Sequence, residues 1–310
     1  MPKVDINPFS RRAFLQVAAV PLMARAPGGP QVSFPTEARQ RLAVTSYPFR
    51  TLIDSPTNPA RDKSVAGMDL KEFPAMIAKR FGVHNINPLG DHLSSTEPAY
   101  LTEFRAAVEA AGSHMVDLGL GGRDFGHSDK GIRDEAVAYG RRWIDVAVAV
   151  GSPSVRQHLR TAKGATPNVP NAVESLGRLA DYGSQRDVVV NLENDSPGAE
   201  DPFFIVEVVS KVSSPYLRAL PDFGNSLRGH DAAYNEKAVS AMFQHAYNMS
   251  HVKDVLRTQK GEVYRVDVAR MFAVARANGY KGYFSMEFDT GSGDPFQGTE
   301  ELVSQSLKYM

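Results

Sequence analysis

Eight short apolar runs alternate with eight longer segments of helical period between residues 42 and 309, and few folds accommodate that rhythm. The runs lie at 42–45, 83–87, 115–120, 154–158, 188–192, 217–220, 249–252 and 283–287. The segments between and after them, 70–81, 99–111, 134–150, 171–184, 202–212, 232–246, 266–278 and 299–309, carry apolar residues three and four apart. Leu101, Phe104, Val108 and Ala111 form one stripe; Val268, Met271, Phe272 and Ala275 form another. Gly82, Gly112, Gly151 and Gly279 each stand between a helical segment and the next run, where a left-handed cap is wanted. Strand, loop, helix and glycine turn make a βαβ unit with a right-handed crossover, and eight in succession favour closure. The expected fold class is therefore α/β, a single (β/α)8 TIM barrel, with an open doubly wound sheet as the competing arrangement. Its 310 residues suit one such barrel of typically ~250 residues, and no linker divides them. The Pro-rich stretch 55–66 and the Gly-rich stretch 118–131 read as long loops on the barrel rim.

The first residues follow a different pattern. Ser10-Arg11-Arg12-Ala13-Phe14-Leu15-Gln16 precedes a weakly apolar stretch, 17–23, and then Ala24-Arg25-Ala26. This resembles a twin-arginine export signal cut after Ala26, so residues 1–26 are read as the signal and 27–310 as the barrel. A basic amphipathic arm is the plainer alternative. The expected location is the periplasm, or outside the cell by the same route. Lys and Arg (35) balance Asp and Glu (35), which leaves no positive field to collect a polyanion, and nucleic acid is not an expected partner. No apolar run reaches the ~18 residues of a membrane span. The absence of cysteine excludes a disulfide scaffold, thiolate ligands and cysteine nucleophiles.

Four potential ligands stand where successive runs end: Glu193 in VVVNLEND, Asp222 in LPDFGN, His251 in MSHVKDV and Glu287 in GYFSMEFD. In a (β/α)8 barrel these ends open onto one face, and neighbouring strands lie ~4.8 Å apart. The four side chains are therefore expected to converge on one ion. Alone, each has an ordinary reading as a surface acid, a turn residue, an ion-pair partner or a core histidine. Two glutamates, an aspartate and an imidazole form a sulfur-free shell that suits one divalent cation, Mn2+, Mg2+, Co2+ or Zn2+; ligand type alone does not choose among them, and Mn2+ is taken as the first expectation. Tyr47, Asn85, Asn87, Arg156 and His158, near the ends of the earlier strands, are candidate contacts for substrate hydroxyls. Alternation places Lys253 on the same side as His251, where it would orient an oxyanion or pair with Glu287.

The phrases LEN, PDFGN, HVKD and MEFD resemble the metal-binding segments of the sugar isomerase and epimerase family of xylose-isomerase-like TIM barrels. That resemblance implies Glu193, Asp222, His251 and Glu287 as ligands of one divalent metal, and Arg257, six positions after His251, as a substrate-contacting arginine. Asn225 replaces a histidine that family members often carry three residues after the aspartate; an amide binds a hydroxyl but does no acid–base work. The implied reaction is proton transfer next to the carbonyl of an unphosphorylated carbohydrate through an enediolate, with Glu193 and Glu287 exchanging the proton. Transfer across two faces of the sugar gives an epimerase and transfer on one face an isomerase. Elimination from the same enolate gives the runner-up, a lyase acting on a keto-sugar or glycoside. A non-catalytic periplasmic carbohydrate-binding barrel and a three-zinc abasic-site nuclease are further alternatives, and assembly as a homo-oligomer is left open.

Overall fold

The apolar runs form a ring of parallel strands with the amphipathic segments packed around it in a computed structural model that describes residues 29–161, 166–195, 198–258, 260–289, 291 and 293–310. The signal expected over 1–26 lies outside the described residues. The strands are β1 (Leu42–Thr45), β2 (Asn85–Asn87), β3 (His114–Met115), β4 (Leu118–Arg123), β5 (Ser154–Leu159), β6 (Val189–Glu193), β7 (Leu217–Leu220), β8 (Met249–Val252), β9 (Val255–Arg257), β10 (Val263–Arg265) and β11 (Tyr283–Met286). The helices are α1 (Phe73–Phe81), α2 (Pro98–Ala110), α3 (Lys130–Val150), α4 (Val169–Arg186), α5 (Pro202–Val212), α6 (Ala232–Phe243), α7 (Val268–Ala277) and α8 (Pro295–Tyr309).

Pairing follows the order β3-β2-β1-β11-β8 in one sheet and β4-β5-β6-β7 in the other, parallel throughout. Two junctions close the ring. β3 and β4 are halves of one barrel strand, interrupted at Val116 and Asp117. Between β7 and β8, parallel bridges join Ala219 to Ala246 and Asp222 to His251, and the His251 N–H donates to the Pro221 carbonyl at 3.0 Å. The order expected of a (β/α)8 barrel is therefore the observed one.

The four glycines singled out between helix and strand have φ of 60°, 60°, 78° and 69°, as a left-handed cap requires. Asp187 (φ 57°) and Ser213 (φ 52°) make the same turn without glycine after α4 and α5. Two helices start a full four residues before their apolar stripes indicate. Asp129 accepts from the Gly131 N–H and starts α3 at Lys130 rather than 134; Asp294 accepts from Phe296 and Gln297 and starts α8 at Pro295 rather than 299. The Gly-rich stretch expected as a rim loop is shorter than 118–131, because β4 continues through Arg123 beside β5. Arg156 and His158 lie within β5 rather than after it. The hairpin of β9 and β10 has no counterpart among the expected elements, and it carries Arg257 to the barrel mouth.

Between strands and helices the packing is aromatic and aliphatic. Phe223 meets Phe243, Phe272 and Phe284 edge-on, with centroids 5.2 to 6.3 Å apart. Inside the ring lies a buried polar group: Asn87, Asp117, Ser154, Asn191, Asn248 and Ser285. Beneath the ring, the Tyr247 hydroxyl donates to the Pro30 carbonyl at 2.7 Å, and Phe34 packs edge-on against Tyr247 and Tyr283. Among the described residues, no helix is long and apolar enough to cross a membrane.

Candidate active site

β6 delivers Glu193 at its last residue, and the turn after β7 delivers Asp222. His251 is the third residue of β8, and Glu287 follows β11 directly. One ligand atom from each lies within 4.8 Å of all the others, and all four side chains are buried. The local sequence explains the placement. Val188-Val189-Val190 is stiff and buried, so the strand keeps its line until Glu193 leaves the core. After Asp222, Gly224 allows the chain to pass under Lys253, whose Cγ would lie 3.2 Å from a Cβ there. Asp222 Oδ1 then accepts from the Gly224 and Asn225 N–H groups at 2.8 and 2.7 Å, which fixes the carboxylate.

The three carboxylates have internal counterions. Arg156 contacts Glu193 Oε2 directly. Lys253 Nζ lies 2.9 Å from Glu287 Oε2 and 3.2 Å from Asp222 Oδ2. His251 Nδ1 faces Glu193 Oε1 at 2.6 Å and Glu287 Oε2 at 3.5 Å, while its Nε2 meets Asn87 Oδ1 at 2.8 Å. Burial pushes the Glu193 carboxyl up, but Arg156, His251 and His158 outweigh it and hold the group well below its ordinary value. Glu287 is also lowered, against its burial, by Lys253 and His251. Asp222 moves the other way, to about 6, chiefly by burial and then by the neighbouring Glu287 and Glu193 charges. Burial disfavours the charged Lys253, yet Asp222, Glu287 and Glu193 raise it well above an ordinary lysine.

A divalent cation fits this set. The donors are of the oxygen and nitrogen kinds such ions take, and buried Asp222 Oδ2 accepts no hydrogen bond and has the Lys253 ammonium at 3.2 Å as its counterion. The cluster opens into a cavity of about 280 Å³ lined among others by Tyr47, Asp91, His158, Asp195, Arg228, Arg257 and Asp289. Six of the residues expected to contact substrate reach this region, and two do not. His158, Lys253 and Arg257 line the cavity, as does Asn225, whose Oδ1 accepts from Lys253 at 3.1 Å and whose Nδ2 donates to the Asn194 carbonyl at 3.0 Å. Tyr47 and Arg156 line it too. Asn85 does not: its amide donates to the Gln40 and Leu42 carbonyls at the base of the ring. Asn87 lies below the cluster and bonds His251 and Asp117 instead of facing the cavity.

Three contacts escaped the sequence reading. The Arg156 pairing to Glu193 was signalled only by strand parity, which sets Arg156 and His158 on one side of β5. His158 Nδ1 meets Glu200 Oε1 at 2.7 Å, joining β5 to the loop before α5, and Arg228 pairs with Asp195 at 2.9 Å between two loops.

Comparison with known proteins places this geometry in context. Residues 76–310 match the model of a family described as xylose isomerase-like TIM barrel. No curated protein matches the chain in sequence. Among solved structures, a xylose isomerase-like TIM barrel protein from Mycobacterium smegmatis in complex with magnesium is 16% identical with a TM-score of 0.67, over 89% of this chain and 98% of that one. A D-psicose 3-epimerase from Clostridium cellulolyticum with D-tagatose is 14% identical with a TM-score of 0.65, over 87% and 97%. A 3-keto-D-glucoside 4-epimerase from E. coli is 13% identical with a TM-score of 0.62, over 87% and 99%.

Proposed function

Because the chain belongs to the xylose isomerase-like TIM barrel family, we propose that it is a divalent-metal-dependent isomerase or epimerase of an unphosphorylated carbohydrate. The observation that carries this reading is the buried convergence of Glu193, Asp222, His251 and Glu287 within 4.8 Å at the floor of a polar cavity. These four would hold the ion, with Mn2+ first among the candidates. Bound there, it would polarise a sugar carbonyl and acidify the adjacent C–H.

The remaining work falls to the chain's own groups. Glu193 is engaged at both oxygens, by Arg156 and His251, whereas Glu287 is met at Oε2 by Lys253. The two carboxylates approach from strands on different sides of the cluster, which suits removal of a proton by one and its return by the other. Lys253 and Arg257 would bind the oxygens that gain charge, and His158 and Asn225 the hydroxyls around them. The cavity wall carries the carboxylates of Asp91, Glu193, Asp195, Glu287 and Asp289 against the fixed cations Arg156, Arg228, Lys253 and Arg257. Such a balance favours an uncharged polyol over a phosphate ester. Psicose and keto-glucoside epimerases among the structural neighbours support the same substrate class.

The test is solvent-deuterium incorporation into free ketoses, aldoses and 3-keto-glycosides by Mn2+-loaded protein. Exchange next to the carbonyl, lost in Glu193→Gln and Glu287→Gln, is the expected result. The labelled carbon separates epimerase, isomerase and lyase. Absence of exchange with every sugar, from protein that binds one Mn2+ per chain, would sink enolisation.

A further inference from the structure

Below the four candidate ligands the ring interior holds a carboxylate that the proposed chemistry does not use. Asp117 sits at the break between β3 and β4 and is fully buried. Ser154 Oγ and the Asn191 amide approach its Oδ1 at 2.5 and 3.0 Å, and the Asn87 amide approaches its Oδ2 at 3.1 Å. The surroundings restrict these groups further. Asn248 donates to Ser154 Oγ at 2.8 Å, which leaves the serine hydroxyl to act as donor toward Asp117 or the Val116 carbonyl.

A carboxylate only accepts, so it draws the NH2 face of Asn87 toward itself. The other face of that amide, the carbonyl oxygen Oδ1, then meets His251 Nε2 at 2.8 Å, with Ser285 Oγ also donating to it at 3.4 Å. An oxygen that faces Nε2 requires a proton on Nε2. We infer that Asp117, acting through Asn87, fixes the ring orientation and tautomer of His251, so that Nδ1 is the atom presented to Glu193 and Glu287. Asp117 and Asn87 are positioning residues, drawn from barrel strands on the far side of the ring from β8, which carries His251. The relay rests on the proposed function only in treating Nδ1 as a metal donor; the tautomer itself does not depend on it. Outer partners of this kind typically change metal affinity 10- to 100-fold when removed.

Two measurements on histidine-15N-labelled full chain test the relay. In EDTA, above the pH at which the imidazolium is lost, proton–nitrogen correlations of His251, identified by their absence in His251→Gln, are expected to report Nε2 protonated and Nδ1 bare. In Asp117→Asn and Asn87→Leu the Nε2–H pattern is expected to give way to a mixture, and Mn2+ binding followed by electron paramagnetic resonance is expected to weaken about 10- to 100-fold. Ser285→Ala, which removes only the longer contact, is expected to change neither. A proton on Nδ1 in the unaltered chain overturns the inference, and so do folded Asp117→Asn and Asn87→Leu variants with unchanged tautomer and Mn2+ affinity. Should both variants fail to fold, the spectrum of the unaltered chain decides alone. Nε2–H in a chain that binds no Mn2+ supports the relay and counts against the metal.

Discussion

Replacing Lys253 by methionine removes a charge while keeping most of the buried stem. Its ammonium lies 2.9 Å from Glu287 and 3.2 Å from Asp222. At an effective dielectric of ~20 these contacts correspond to gross attractions of about 6 and 5 kcal/mol, most of it offset by the cost of burying the charges. Removing one partner of a buried pair typically costs ~3–5 kcal/mol, because the other charge stays behind. In metal-free protein Lys253→Met should therefore lose about that much stability. In the metal-loaded protein a divalent ion would take over the neutralisation of both carboxylates, and the loss should fall to less than half. The assay is urea unfolding of both proteins in EDTA and in Mn2+ at about 100 times the Kd, where binding alone adds ~2.7 kcal/mol. A deficit equal or larger in Mn2+ than in EDTA, or one below about 1 kcal/mol in EDTA, would refute the reasoning that Lys253 and the ion serve the same carboxylates.

His92 is buried and its Nδ1 faces Ser46 Oγ at 2.7 Å; burial first, and Arg50 second, lower its pKa to about 4. The unfolded chain takes up this proton near pH 6.5 and the folded chain does not, so stability should fall by up to about 3 kcal/mol as pH drops from 6.5 to 4. Unfolding of His92→Gln over that range should be flatter, and an unchanged slope would exclude the residue as the cause. In Gly119→Ala the new methyl meets the Arg156 guanidinium and Leu89 Cδ2, the latter at 2.8 Å. It should displace Arg156 from Glu193 and cut turnover at least tenfold, measured as deuterium exchange under saturating Mn2+. Phe223→Ala empties a buried site among three other rings, immediately after Asp222. It should cost ~3–5 kcal/mol in urea unfolding.

The barrel was legible because its signals are local and repeated. Eight runs, amphipathic stripes and four glycine caps each report on a few neighbouring residues, and all agree. The candidate ligands were legible for a related reason: a carboxylate or imidazole at or near the end of a buried run, as Glu193 and His251 are, stands out against its apolar approach. Helix starts were less so, since α3 and α8 begin in polar turns whose caps, Asp129 and Asp294, resemble ordinary loop residues. Asn87 was misread as a substrate contact because strand alternation tells inside from outside but not height along the axis. Asp117 was passed over although it interrupts the apolar run MVDLGL, and the interruption itself was the clue. Contacts between segments distant in sequence, such as His158 with Glu200, have no local trace in one sequence.

Asn225 shows how the site departs from the family pattern without losing its logic. Its amide is used at both ends, the oxygen by Lys253 and the nitrogen by the Asn194 carbonyl, so it neither titrates nor offers a proton. What it does is carry Lys253 into the space between Asp222 and Glu287. Three carboxylates this deep would not remain ionised unaided. Arg156 and Lys253 supply two positive charges, and His251, whose pKa burial lowers but Glu193 and Glu287 raise on balance, is able to supply a third by taking up a proton. The chain can therefore close its barrel around a neutral cluster before any ion arrives. Under the proposed reading, Glu193, Asp222, His251 and Glu287 would give up that proton on holding a divalent ion, and the cluster would gain one net positive charge. That surplus would lie at the floor of the cavity, beside Lys253, where an enolising sugar would place its developing oxyanion.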